Sequence, residues 1–289
     1  MKISNLKSQI SNFKFQISIT CLVLIIAATA LAQRSPFMRR EFRPELMDRN
    51  GVPEWKNAER FKSDVFTFVR VRYSSGGGYG GRGGGSWATD YPEADYKLMW
   101  GIQRMTNIRL FPDQHPVEIL DEDLFKFPFV YAVEVGRMNL STPEAERLRE
   151  YLDRGGFWYC DDFWGLYEWA NFEAQMKKVF PDRKLERLDL KHDVFHSFFD
   201  VDKVMQIPNI NNGRQITRTG RGRTWEDSSD TEPGVFGIFD DSGRVMVLVT
   251  YNSDLGDAWE WMDDPEYPEP FTAQAYKMAM NFIIYSMTH

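Results

Sequence analysis

The stretch STPEAERLREYLDRGGFWYCDD, residues 141–162, decides the fold class of this chain. It opens with a serine, an early proline and a glutamate, which predict a helix start because they suit the positive end of a helix. The helix is expected to run to Arg154 and to end at Gly155-Gly156, since glycine accepts a left-handed backbone. The apolar run Phe157–Cys160 predicts a buried strand that ends in Asp161-Asp162. A helix that leads into a buried strand is typical of an α/β layered fold.

The alternation of helices and strands continues on both sides of this stretch. Apolar residues at period two or in short runs predict strands, and apolar stripes at helical spacing predict helices. The predicted strands are 64–73, 117–120, 127–135, 157–160, 185–190, 235–239 and 245–251, and the predicted helices are 96–106, 141–154, 167–179 and 272–287. This pattern indicates a mostly parallel sheet flanked by helices, with an antiparallel hairpin near the C-terminus. The polar segment 209–233 is expected to be a long loop.

Residues 1–32 have the composition of a secretory signal peptide. Three lysines are the only charged residues there, residues 17–32 are almost entirely apolar, and Ala30-Leu31-Ala32 has the small-x-small form of a signal-peptidase site. The apolar run is short for a membrane-spanning helix, which needs about 20 residues. We expect cleavage after Ala32 and export to a bacterial periplasm or cell surface. The alternative is an uncleaved N-terminal anchor.

The composition excludes several classes of protein. The 289 residues include 35 basic and 42 acidic side chains, a net charge of −7. Removal of the three leader lysines leaves 32 basic against 42 acidic residues, a charge of −10. This acidity argues against a nucleic-acid partner, and membrane contact is expected only through an uncleaved N-terminal segment. We expect an exposed lead-in at 33–62 and a single domain at 63–289, whose lone cysteine, Cys160, cannot form an internal disulfide.

A glycine-rich segment follows the first predicted strand. Eight of the ten residues 76–85 are glycine. A phosphate-binding loop of the Walker type requires a lysine before the Ser or Thr that opens the helix, and Gly84-Gly85-Ser86 lacks it. A flexible loop is therefore expected, with a flap over a pocket as the alternative.

Five separated motifs carry a resemblance to a known family. They are WATDYPEAD (87–95), LREYLDRGG (148–156) followed by Asp161-Asp162, the region around His192, DLGDAWE (254–260) and NFIIY (281–285). Over residues 64–289 the chain resembles the bacterial domain of unknown function family 4159, whose fold is similar to that of class I glutamine amidotransferases. The resemblance implies an amidotransferase-like, flavodoxin-like domain and no assigned activity.

Cys160 is the candidate nucleophile that this resemblance suggests. In the amidotransferase fold the catalytic cysteine lies on a sharp G-x-C-x-G turn after a strand. Cys160 also ends a predicted strand, but Tyr159 and Asp161 flank it in place of small residues. Adjacent carboxylates oppose thiolate formation. We therefore expect Cys160 to be a buried strand residue without a catalytic role.

Acidic and aromatic side chains are the main candidates for a ligand site. Asp161 and Asp162 end a parallel strand, at the edge where open α/β sheets bind ligands. Such a pair can ligate a metal or act as acid and base, or it can cap the next segment and hold arginines. Trp87, Asp90, Tyr91 and Asp95 follow the first predicted strand and are expected near the same edge. Their alternative role is to hold a turn and to cap a helix.

His192, His196 and Asp254 complete the candidate set. The two histidines are four residues apart, the spacing of metal ligands on a helix, but the glutamate of a metalloprotease motif is missing. Packing roles are their alternative. Asp254, Asp257 and Glu260 lie near several tryptophans, and this combination permits sugar binding by ring stacking and carboxylates. Core or interface packing is the alternative role of these tryptophans.

These observations predict an exported, non-catalytic ligand- or protein-binding domain within an envelope-associated assembly. Its partner would be a small molecule, a glycan or a protein, and neither a cofactor nor a metal is expected. The alternative is a hydrolase of glycan or amide bonds, in which Asp161 or Asp162 acts together with a histidine, with or without a metal.

Overall fold

The computed structural model describes residues 49, 51–52, 57, 64–75 and 87–289. The predicted signal peptide, most of the predicted lead-in 33–62 and the glycine-rich segment 76–85 lie outside these residues. Within the described part of the chain, no helix is long and apolar enough to cross a membrane.

Strands and helices alternate along the described residues. The strands are β1 (Val69–Arg72), β2 (His115–Glu118), β3 (Phe129–Val133), β4 (Phe157–Asp161), β5 (Glu186–Arg187), β6 (Gly234–Phe239) and β7 (Val245–Tyr251). The α-helices are α1 (Glu93–Met105), α2 (Thr142–Asp153), α3 (Gly165–Val179), α4 (Ile210–Thr219), α5 (Leu255–Glu260) and α6 (Glu269–Thr288). Short 3₁₀ turns occur at Glu122–Lys126, Val135–Arg137 and Asp193–Phe195.

The strands form one sheet in the order β2-β1-β3-β4-β7-β6-β5. The first five strands in this order are parallel, and β6 pairs antiparallel with both β7 and β5. The predicted fold class is therefore confirmed, including the antiparallel β6–β7 hairpin. Because β3, β4 and β7 are parallel neighbours, their carboxyl ends meet at one edge, which we call the carboxyl edge. Val133 pairs with Asp161 there.

Helices cover both faces of the sheet. On one face, buried strand side chains at alternate positions pack against α2 and α3. This core includes Val130, Trp158 and Val249 of the strands, Leu148 of α2 and Phe172 of α3. On the other face, the Tyr131 ring lies 5.6 Å from the Trp259 ring of α5, and the Tyr159 ring lies 5.0 Å from the Phe282 ring of α6. Successive strand residues point to opposite faces, so both faces of the central strands are buried.

The predicted boundaries of α2 are confirmed by its end geometry. The Ser141 hydroxyl accepts the Glu144 backbone N–H at 3.4 Å, and the Glu144 carboxylate accepts the Ser141 N–H at 2.8 Å. These reciprocal bonds satisfy two N–H groups that the first turn leaves unpaired. Gly155 follows the helix with φ of 102°, the left-handed conformation expected of a terminating glycine.

The segment 209–233 differs from the prediction because it contains α4. Asn209 caps this helix by accepting the Asn212 N–H at 2.9 Å, and Gly220 ends it with φ of 66°. The helix is polar and contains Gly213, so its sequence does not show an apolar stripe. Its position depends on a distant contact instead: a Cβ on Gly213 would lie 2.6 Å from the Tyr267 ring. Close packing against Tyr267 therefore requires glycine.

A buried ion pair holds the segment that enters α1. Arg70 of β1 is fully buried, and its Nε donates to both carboxylate oxygens of Asp95 at 3.1 and 3.2 Å. Its Nη1 donates to the carbonyls of Trp87 and Thr89 at 3.1 and 2.7 Å. The guanidinium also lies 5.0 Å from the centre of the Tyr131 ring. One β1 side chain therefore fixes the path of residues 87–95.

Replacement of Asp95 by Asn is expected to lower the free energy of unfolding by about 3–5 kcal/mol, because the buried Arg70 charge loses its counter-ion. Urea denaturation measures this change. Glu118→Gln is the control: the Arg72–Glu118 pair is exposed, with side chains 46% and 58% accessible, so its loss should cost less than about 1 kcal/mol. Equal effects of the two substitutions would contradict the assignment.

Candidate functional site

Carboxylates from separate parts of the chain converge at the carboxyl edge. Oxygens of Asp90, Asp254 and Asp257 lie within 4.8 Å of one another. Oxygens of Asp162, Glu226 and Asp254 form a second group with the same limit. Asp254 belongs to both groups, so the five residues form one cluster, which we call the acidic cluster. The structure therefore brings together Asp90, Asp162 and Asp254 of the main candidate set and Asp257 of the sugar-binding hypothesis.

The acidic cluster lies mostly inside the protein. Asp162, Asp254 and Asp257 are buried, with 4%, 3% and 7% of their surface accessible. Asp90 is partly exposed, and Glu226 lies at the exposed rim. A buried carboxylate is costly unless it is protonated or paired with a cation. This arrangement therefore needs protons or positive charge to be stable.

Asp161 has a different role from that of its neighbour Asp162. Its Oδ2 accepts the backbone N–H groups of Leu255 and Gly256 at 2.9 and 3.1 Å, and its Oδ1 accepts the Thr250 hydroxyl. The Tyr131 hydroxyl lies 3.4 Å from Oδ2. Burial raises the pKa of Asp161 to about 6, although these hydrogen bonds lower it. Asp161 therefore ties β4 to β7, β3 and the start of α5.

Asp162 has little support from donors. Among the described residues, a single donor reaches its carboxylate, the indole Nε1 of Trp164 at 2.7 Å. Burial raises the pKa of Asp162 well above its usual value, and the charges of Glu134 and Glu226 raise it further. This carboxylate is therefore available to an added proton or cation.

The backbone is strained around the cluster. Within the described part of the chain, four residues other than glycine have positive φ: Asp90 (58°), Glu134 (56°), Asp162 (53°) and Asn252 (53°). Three of them follow the ends of β3, β4 and β7, and Asp90 lies in the segment that Arg70 fixes. Left-handed backbone is unfavourable for such residues and is concentrated at functional sites. The turns at the carboxyl edge therefore hold their side chains in place at a cost in local stability.

Three basic side chains around the cluster already have carboxylate partners. The pairs are Arg70–Asp95, Arg137–Glu168 and Arg214–Asp264. Burial raises the pKa values of Asp90 and Asp257, and the charges of Arg70 and Arg214 offset this rise only in part. Burial and then the charge of Glu168 raise the pKa of Glu134 to about 8, and burial and then the charge of Asp257 raise that of Glu260 to about 7. The edge is thus partly protonated at neutral pH.

The two candidate histidines lie elsewhere. The His192 ring packs 5.8 Å from the Phe239 ring and 5.9 Å from the Tyr285 ring. The Tyr285 hydroxyl accepts the N–H of Val245, the first residue of β7. Asp254 lies beyond the other end of this strand, three residues after Tyr251. Seven strand residues span about 20 Å, so His192 is at the opposite end of the sheet. His196 bonds Asp200 at 2.9 Å and does not join the acidic cluster.

The other candidates serve mainly to hold the structure. Asp95 is buried in its ion pair with Arg70. The rings of Trp87 and Tyr91 lie 5.5 Å apart and are half-buried beside Asp90. Cys160 is fully buried, and burial and the Asp161 charge raise the pKa of its thiol, so its predicted place inside a strand is confirmed.

Comparison with protein families gives one clear result. The model of the family described as "Domain of unknown function (DUF4159)" matches residues 67–287, which is more than three quarters of the chain. The chain belongs to the DUF4159 family. The matched part of this DUF4159 domain contains every residue of the acidic cluster. No curated protein sequence matches the chain.

One member of the acidic cluster, Glu226, is absent from the sequence-based candidates. Asp257 entered them only with the sugar-binding hypothesis. It is three residues after Asp254 in the DLGDAWE motif, and Asp254 caps the helix by accepting the Asp257 N–H at 2.8 Å. Glu226 lies in a polar stretch without a pattern. Asn209 holds it by donating to its carboxylate at 2.5 Å. Glu226 reaches the acidic cluster of this DUF4159 domain only through the tertiary fold.

Asp161→Asn and Asp162→Asn are expected to change stability in opposite directions. Asp161→Asn should lower the free energy of unfolding by about 2–3 kcal/mol, because one amide group would face N–H or O–H donors. Asp162→Asn should raise it by about 1 kcal/mol, because it removes a repelled buried charge and keeps an acceptor for Trp164. Chemical denaturation at pH 7.5 measures both. Similar losses in the two variants would contradict the assigned roles.

Stability is expected to fall as pH rises from 6.5 to 8.5. The folded protein holds protons on Glu134 and Glu260 that the unfolded chain, with ordinary carboxyl pKa values, has already released. Thermal melts in a chelator measure the trend. Glu134→Gln should flatten it, since that side chain no longer titrates. A rising melting temperature across this interval would overturn the prediction.

Proposed function

We propose that this DUF4159 domain is an exported, non-catalytic binding domain that takes a positively charged ligand or partner group at the acidic cluster. The observation that carries the proposal is the convergence of five carboxylates, three of them buried, at the carboxyl edge. This is the edge at which open α/β sheets bind ligands. Buried charges that lower stability are retained at sites where they have a function.

The positions of the nucleophilic and basic side chains support a non-catalytic role. The Cys160 thiol is fully buried inside its strand and cannot reach a ligand in solution. His192 lies about 20 Å from the cluster along β7, too far for it and an aspartate of the acidic cluster to contact one substrate atom. An Asp–His hydrolase, the alternative from the sequence, therefore lacks its base at this edge.

The scaffold that we propose is amidotransferase-like. The support is local: β4 leads through the left-handed Asp162 into α3, a sharp strand–turn–helix of the kind that carries the catalytic cysteine in that fold. Here the turn carries a carboxylate. Export is proposed from the leader-like residues 1–32, and it would place the domain where an envelope-associated partner is accessible.

Cationic probes test this function by ligand-induced stabilisation. The protein, expressed with its own N-terminal segment, is melted at pH 8 and low salt with spermidine, an Arg-Lys tetrapeptide or CaCl₂. At least one probe should raise the melting temperature by several degrees, since a ligand at 100 times its Kd stabilises by about 2.7 kcal/mol.

The double variant Asp162→Asn/Asp254→Asn should lose this response and still fold, because asparagine also caps helices. Asp241→Asn is the matched control, since that carboxylate is 94% exposed on the hairpin turn. If no cationic probe stabilises the wild type more than the double variant, the proposed function is wrong.

A further inference from the structure

We infer that the acidic cluster binds a divalent cation and that calcium is the ion its ligands favour. This inference rests on the proposed function, because it names the positive charge that the cluster takes. It assigns Asp254 as the central ligand, with Asp90 and Asp257 on one side and Asp162 and Glu226 on the other.

The spacing of the oxygens suits a calcium ion. Calcium–oxygen distances are about 2.3–2.6 Å, so two ligands on opposite sides of the ion lie about 5 Å apart. The oxygens of each group of three lie within 4.8 Å of one another. Each group can therefore contact a single ion without movement of the backbone.

An unpartnered oxygen of Asp90 is the independent sign of a ligand. Asp90 Oδ2 is buried and has no hydrogen-bond partner among the described residues. It lies beside Gly256, close to Asp254: a Cβ on Gly256 would lie 2.5 Å from Asp90 Oδ2 and 3.5 Å from Asp254 Oδ1. The rest of the Asp90 carboxyl shares a hydrogen bond with Glu260, which is also acidic and supplies no positive charge. A buried carboxylate oxygen in this position calls for a proton or a cation.

Other ligands of the cluster are held in place by donors. Asp257 accepts the Ile210 N–H at 2.7 Å on one oxygen and the Trp261 indole N–H at 3.1 Å on the other. Asp161 occupies the first N–H groups of α5, so Asp254 and Asp257 keep their orientation on that helix. Such outer hydrogen bonds orient metal ligands. The exposed Glu226 gives the ion a path from solvent.

The chemistry of the ligands selects the ion. The described part of the cluster contains carboxylate oxygens and no imidazole or thiolate, which favours a hard cation over zinc or copper. Magnesium retains several waters and usually binds one or two carboxylates, whereas calcium accepts six to eight oxygens in flexible geometry. The three carboxylates of each group exceed the one or two that magnesium usually takes, and they therefore favour calcium.

Isothermal titration of the chelator-treated protein with CaCl₂ at pH 8 tests the inference. Saturable binding is expected, with at least tenfold weaker affinity for MgCl₂. Asp254→Asn and Asp90→Asn should each weaken calcium binding at least tenfold, and Asp241→Asn should not change it. Thermal melts with and without CaCl₂ provide a second readout in the wild type, which should melt at a higher temperature with calcium.

The outcomes separate this inference from the proposed function. Absence of calcium binding, or calcium binding that Asp254→Asn and Asp90→Asn leave unchanged, overturns the calcium site. If spermidine or the basic peptide still stabilises the wild type through Asp162 and Asp254, the proposed function stands without calcium. If calcium and both organic cations all fail, both are wrong.

Discussion

The Asp161 carboxylate is the interaction on which the carboxyl edge depends. It joins the end of β4 to Thr250 of β7 and to the first N–H groups of α5, and it lies beside the Tyr131 hydroxyl of β3. Asp162 is the next residue in the chain, and Asp254 directly precedes α5, the helix that Asp161 holds. A well-bonded carboxylate therefore fixes the positions of less well-bonded ones. Without this tether, repulsion within the acidic cluster would separate its members.

Two kinds of buried charge coexist in this fold. Arg70 and Asp95 neutralise each other inside the protein, and Arg70 also fixes the segment that contains Asp90. Among the described residues the acidic cluster has no comparable ion pair, and burial and then repulsion from neighbouring carboxylates raise the pKa values of Asp162 and Asp254. The first arrangement stabilises the fold, whereas the second lowers stability and creates affinity for positive charge. At a functional site, side chains are often held in positions that lower local stability.

The sequence was sufficient for the fold class but only partly for the site. The helix cap at Ser141, the glycine stop and the apolar strand are local signals, and they predicted α2 and β4 well. The strand-end acids were also predicted to meet at one edge. Which of Asp161 and Asp162 faces protein donors depends on tertiary hydrogen bonds that no local pattern shows. For the same reason Glu226 and the polar helix α4, which distant contacts position, were missed.

Within the described part of the chain, the fold holds carboxylates at the carboxyl edge without matching cations. Carbon-13 NMR titration of the side-chain carboxyl groups, in a chelator, tests it most directly. At least two carboxyls are expected to titrate above pH 6.5, assigned to Glu134 and Glu260 by the loss of their signals in Glu→Gln variants. A protein in which every carboxyl titrates below pH 5 would contradict it.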